Sequence, residues 1–105
     1  MNKIVLKSPT DHDFKNLSGQ VVNIIETNGD NSGITNEALK YISNIVDLAE
    51  LDLEWATQIT DQGLYHLHGL PTLKYIDLSF CSGLTNEGIK KLESSTIGLT
   101  VEKQI

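Results

Sequence analysis

Three groupings in this chain have side chains of the types that do chemistry. Asp11-His12-Asp13 offers two carboxylates and an imidazole. Adjacent residues on a loop rarely converge on one ion, however, and no fourth ligand is evident. His66 and His68 lie two apart on a helical stretch. That step puts them on different faces, whereas a zinc pair needs a four-residue step. Cys81 is the only cysteine, so no disulfide can form within the chain. A reactive thiol needs an exposed, electropositive setting, which Phe80 and Ser82 do not suggest. No Ser-His-Asp set is oriented by spacing, and no glycine loop of the phosphate-cradling kind is present. The reading is therefore of a chain that is not an enzyme, with no metal and no cofactor. A different chemistry recurs: carboxylates at Glu26, Asp52, Asp77 and Glu102, with Glu50, Glu54, Trp55, Tyr75 and Phe80 beside them. Carboxylates pair with arginine and lysine, and aromatic rings anchor interfaces.

The elements that position these residues follow from a self-comparison. The segment Leu48 to Thr72 aligns without a gap on Leu73 onward at an offset of 25 residues. Leu48 falls on Leu73, Leu51 on Ile76, Leu53 on Leu78, Ile59 on Leu84, Thr60 on Thr85, Gly63 on Gly88, Leu64 on Ile89 and Leu67 on Leu92. Ile34-Thr35-Asn36-Glu37 aligns in turn with Ile59-Thr60-Asp61-Gln62. Upstream of Ile34 the match needs one extra residue, expected within Asn28 to Gly33. That expectation puts Asp30 at the position of Ala56 and Cys81.

Each unit opens with alternating apolar and polar residues, the pattern of a half-buried strand. A turn follows, then Thr as a helix N-cap, an acidic residue in the first helical turn, and apolar residues at helical spacing such as Leu64 and Leu67. Gly69 and Pro71 close the middle helix. Gly63 and Gly88 recur with the unit and are read as sites of close helix-to-strand packing. A single unit cannot bury its apolar face, whereas stacked units share one core. The segments expected are an N-terminal cap at 1–20, repeats at 21–47, 48–72 and 73–98, and a partial unit at 99–105, all in one domain. Within the cap, Lys3 to Lys7 reads as a strand, and Phe14 and Leu17 as one helical turn laid on the core.

Leu73 to Leu92, LKYIDLSFCSGLTNEGIKKL, resembles the cysteine-containing leucine-rich repeat, with its L-x-x-L-x-L-x-x-C core followed by L-T-x-x-G-L. The resemblance covers roughly residues 20 to 105 and departs from the pattern at Ala56. It implies an α/β leucine-rich-repeat solenoid, with parallel strands on a concave face and short helices on a convex face. It also implies that the Cys or Asn position is buried and bonds the backbone of the turn, which makes Cys81 structural.

Strand alternation then assigns the outward side chains. The central column reads Glu26, Asp52, Asp77 and Glu102. One neighbouring column reads Ile24, Glu50 and Tyr75, and the other Asn28, Glu54 and Ser79. Trp55 and Phe80 lie just past their strands at equivalent positions. Two readings of this surface stay open. It is a docking patch, or Asp in the L-D-L context is a habit of the family and the two aromatics stack to pad the turn.

Fourteen acidic against eight basic residues give a formal charge of -6. That balance disfavours a nucleic-acid partner, which needs clustered Lys and Arg, and suits a basic protein surface. No stretch has the length of a membrane span, and no secretory signal is recognisable. The free thiol points to a reducing compartment, so a cytoplasmic location is expected. The function expected is a protein-binding module, a monomer when free. Its most concrete form is a small inhibitor, an immunity or antitoxin protein that occludes a basic toxin domain. The alternative is an adaptor or assembly factor within a larger complex.

Overall fold

The computed structural model describes residues 1–104. Five strands form one parallel sheet in sequence order: β1 (Lys3–Lys7), β2 (Ile24–Asn28), β3 (Glu50–Asp52), β4 (Tyr75–Asp77) and β5 (Thr100–Glu102). Between them run α1 (Asp11–Leu17), α2 (Asn36–Ile42), α3 (Asp61–Leu64) and α4 (Asn86–Ser95). A single 3-10 turn at Tyr65–Leu67 follows α3. Parallel sheets are normally covered on both faces. Here the helices cover only one, and the other is left open as the concave face of an α/β leucine-rich-repeat-like solenoid.

The register follows the repeat. Leu51 pairs with Ile76 and Asp52 with Asp77, then Ile76 with Val101 and Asp77 with Glu102. Inward residues of each strand meet inward residues of the following helix. Ile25, Leu39, Leu51, Leu64, Ile76 and Leu92 are all essentially without solvent exposure. Burying a side chain of that size contributes roughly 1.5–3 kcal/mol, and the stacked layers share a continuous core.

Residues 1–20 supply a strand and a helix of their own. β1 pairs in parallel with β2, Lys3 opposite Ile24 and Lys7 opposite Asn28. Phe14 is fully buried and Leu17 packs against the core edge. Asp11, His12 and Asp13 lie in the first turn of α1 rather than on a loop. Both carboxylates are engaged in hydrogen bonds to threonines.

Several local expectations are corrected. The buried polar position of the first turn belongs to Asn31, while Asp30 is exposed. Asp30 is thus the extra residue. Its carboxylate accepts from the Ser32 N–H, which holds it below the usual carboxylate range. Asn31 donates to the Glu54 carbonyl at 2.7 Å and to Thr27 Oγ1 at 2.8 Å. Cys81 donates to the Leu53 carbonyl at 3.1 Å, so the buried position does bond a turn backbone, as the resemblance implies. The close approach at Gly63 and Gly88 is to the preceding helix, not to a strand. A Cβ at Gly63 would run into the Asn36 carboxamide, and one at Gly88 into the Asp61 carboxylate.

Candidate functional site

The concave face is built by alternation along β2, β3 and β4. Glu26, Glu50, Asp52, Tyr75 and Asp77 line a trough of about 380 Å³ on the open side of the sheet. Asp52, Asp77 and Glu102 sit side by side on three neighbouring strands. Glu54 stands one alternation further along and is half-buried. Ser79, expected in the same outward column, is buried instead. The Gln104 N–H donates to its hydroxyl at 3.1 Å, so the chain after β5 covers it.

The carboxylates do two kinds of work. Asp52 Oδ1 accepts from the Glu54 N–H and Asp77 Oδ1 from the Ser79 N–H, each at 2.9 Å. These side-chain turns end the strands, which gives the L-D-L pattern a physical reason. The second oxygen of Asp77 has no hydrogen-bond partner among the described residues, while the Asp52 carboxylate also meets the Thr27 backbone. Burial, and then the neighbouring Asp77 and Glu26 charges, push the Asp52 carboxyl above its ordinary value against the opposing backbone hydrogen bonds. Burial followed by Asp77 and Asp52 does the same to Glu54. Burial and the surrounding carboxylates, Asp77 foremost, raise the Tyr75 phenol. The field over the trough is therefore negative. It is moderated at one end, where Lys3 Nζ lies 2.9 Å from Glu26 Oε1. Sequence reasoning missed Lys3. Pairing Lys3–Lys7 beside β2 would have placed Lys3 and Lys7 in the outward columns.

Trp55 and Phe80 stack with ring centroids 4.4 Å apart and planes 17° from parallel. Their backbones explain the placement. The register aligns Ser8, Gly29, Trp55 and Phe80, and all four have positive φ: 45°, 81°, 66° and 60°. Strands β1 to β4 thus each turn off through a left-handed residue. Gly29 adopts that shape freely, whereas a side-chain-bearing residue is disfavoured there by roughly 1–2 kcal/mol. The Trp55 and Phe80 N–H groups still extend the strand ladder, bonding the Ser79 carbonyl at 2.9 Å and the Gln104 carbonyl at 2.8 Å. Trp55 stays 54% exposed. The structure therefore brings the trough residues together, whereas the aromatic pair lies beyond the strand ends and lines a separate groove with Leu78 and Leu84. Glu102 continues the row on β5.

The discounted residues also have places. His66 is exposed on the 3-10 turn, and His68 leans on Tyr65 with ring centroids 4.9 Å apart. Burial, then Lys91, lowers the His68 pKa. Cys81 is buried, and burial is the main cause that pushes its thiol up to about 11. Among the described residues no three His, Cys, Asp or Glu side chains are grouped to hold a metal, and no helix is long and apolar enough to cross a membrane.

No curated protein matches the chain. A family model described as Leucine Rich repeat matches residues 69–92, which span β4, its turn and the first two turns of α4. Together with the parallel sheet and its one-sided helices, that match makes this a leucine-rich-repeat-like solenoid, a fold whose repeats generally serve to bind other proteins.

Proposed function

We propose that the protein binds a basic protein surface on its concave face, as a small inhibitor of the immunity or antitoxin kind. The observation that carries the reading is the trough itself. Glu26, Glu50, Asp52, Asp77 and Tyr75 converge there, with a carboxylate oxygen of Asp77 free of protein partners among the described residues. Such oxygens accept Arg and Lys donors in charge-assisted bonds. The negative field speeds encounter with a cationic partner. The Trp55–Phe80 pair adds an apolar anchor beyond the strand ends, held in a backbone shape that glycine would adopt without strain. A basic toxin or nuclease domain presents the complementary charge, and occluding it needs no catalytic group.

The test must remove charge without breaking the turns. Lysine at 52 or 77 would delete the acceptor that closes the strand, so the suitable variant is Asp52→Asn/Glu54→Gln/Asp77→Asn. Wild type and the triple variant serve as baits in extracts of the native cells. A Lys- and Arg-rich protein retained by wild type in 50 mM salt, released at higher salt and lost on the triple variant is the expected result. Equal retention by both baits moves the binding surface off the concave face. Co-purification of several subunits, none dependent on these three residues, favours an adaptor.

A further inference from the structure

The two ends of the stack are not equivalent. At each internal junction, the first residue of one helix holds the threonine that caps the next. Asp11 accepts from the Thr35 N–H at 2.8 Å and from its hydroxyl at 2.5 Å. Asn36 accepts from the Thr60 N–H at 2.9 Å and donates to its hydroxyl at 2.8 Å. Asp61 accepts from the Thr85 N–H at 3.0 Å and from its hydroxyl at 2.5 Å. The third residue of the next helix is Ala38, Gly63 or Gly88, and at the two glycines the clasping side chain passes directly over it. Even a Cβ there would collide with that side chain.

In the first unit that third residue is Asp13. Its Oδ2 accepts from the Thr10 N–H at 2.8 Å, the bond that a preceding unit would otherwise make. Asp13 thus stands in for a missing neighbour and closes that end. At the other end Asn86 is the first residue of α4. It is exposed and holds no threonine among the described residues. Around it lies a groove of about 910 Å³ lined by Leu78, Phe80, Leu84 and Ile89. Leu84 is partly exposed there, while its counterparts Ile34 and Ile59 are fully covered. No described strand pairs with the outer edge of β5.

We infer that this end is a docking surface for a strand–turn–helix unit of another polypeptide, laid parallel to β5, whose helix begins with Thr or Ser and carries Gly or Ala three residues later. The occupant's chemistry follows from the three junctions already formed. The Asn86 carboxamide accepts its cap N–H and donates to its hydroxyl, as Asn36 does for Thr60. Apolar side chains of its strand and turn fill the groove over Leu84 and Ile89, and its strand extends the sheet. A second wild-type copy does not fit. Its β1 edge and Thr10 are suitably placed, but Asp13 occupies the path of Asn86. The closed end thereby prevents the open head-to-tail chains that such an interface would otherwise build. The inference rests on the clasp and the groove and needs none of the concave-face carboxylates, although it shares Trp55 and Phe80 with that reading.

Unlocking the closed end makes the protein its own surrogate partner. The Asp13→Gly/Asn86→Ala variant has an open head and a disabled tail, so it cannot polymerise. Sedimentation velocity of this variant mixed with wild type is expected to show a one-to-one complex. Replacing wild type by Asn86→Ala should weaken that complex at least tenfold, and wild type alone should not associate. Circular dichroism checks the fold. If glycine at 13 unfolds α1, Asp13→Ala, which reproduces the native Ala38 arrangement, takes its place. A folded open-head variant that does not bind wild type at ~1 mM would overturn the inference. Equal binding to wild type and Asn86→Ala, or head-to-tail association of wild type itself, would do the same.

Discussion

Replacing Gly88 by alanine separates the inter-unit clasp from ordinary helix preference, because the two act with opposite sign. In an exposed helix the change stabilises by about 1 kcal/mol. Here a Cβ at 88 falls on the Asp61 carboxylate. With the helices held at their present spacing, that carboxylate can swing aside only by releasing the Thr85 N–H at 3.0 Å and the Thr85 hydroxyl at 2.5 Å, although the Asp11–Thr35 clasp beside Ala38 shows that a junction built around a Cβ keeps both bonds. Bonds of this kind, charge-assisted but partly exposed, contribute ~1–1.5 kcal/mol each. Losing both costs about 2–3 kcal/mol, so the net effect of Gly88→Ala is a destabilisation of ~1–2 kcal/mol. Once Asp61→Ala has removed the carboxylate, the same substitution has nothing to displace and should stabilise by up to ~1 kcal/mol. Urea unfolding of the four proteins, with m-values checked for constancy, gives the double-mutant cycle. A coupling of about 2–3 kcal/mol is expected. An equal effect of Gly88→Ala in both backgrounds would refute the coupling of Asp61 to Gly88.

Three further outcomes follow from the site. Asp52→Asn keeps the acceptor for the Glu54 N–H but removes a carboxylate whose pKa is raised, first by burial, in the folded state. Ionised Asp52 therefore weakens the fold above its raised pKa, with full relief only below the unfolded value near ~3.9. Calorimetry should find the variant more stable at neutral pH, with the gap closing as pH falls to about 4; a gap independent of pH rejects the burial argument. Native Cys81, its thiol near 11, should react with iodoacetamide at pH 7.5 roughly a hundredfold more slowly than in the urea-unfolded chain on acidity alone. Mass spectrometry over time measures this, and comparable rates would place the thiol outside the core. Trp55→Gly trades a relieved left-handed backbone against a lost stacked pair worth roughly 0.5–1.5 kcal/mol. Stability should change by less than ~1 kcal/mol while retention of the basic partner drops, and undiminished retention would make the ring mere padding of the turn.

The parts of this structure that repeat were legible from residue spacing alone. An apolar pattern recurring at 25 residues gives the register of Leu51 on Ile76 and of Asp52 on Asp77, because parallel stacking turns sequence offset directly into neighbourhood. Contacts between units were harder to read. Gly63 and Gly88 look alike whether they face a strand or a helix, and only the third dimension shows the Asn36 and Asp61 side chains lying over them. Asp30 and Asn31 are both polar, so the alignment could not decide which is inserted; burial of the carboxamide decides it. Nothing in the letters for Trp55 and Phe80 announces a left-handed backbone, since aromatic residues seldom adopt one. The position of Thr60 before its helix predicts a cap through its own hydroxyl. That hydroxyl instead accepts from Asn36 of the preceding unit, a tertiary contact overriding a local one.

The clasp has a consequence for how such a protein grows. Every internal unit carries both halves of the joint: an Asp or Asn at the start of its helix, and a Thr followed by a small residue that receives its predecessor's. A copied stretch of 25 residues, inserted between any two units, would find a compatible surface on each side without further change. Gene duplication can therefore lengthen the stack by whole units while leaving the joints intact. Substituting one half alone damages a junction that the local sequence does not reveal. Asp61 and Gly88, far apart in the chain, thus answer to one another: a change at either is felt at the other.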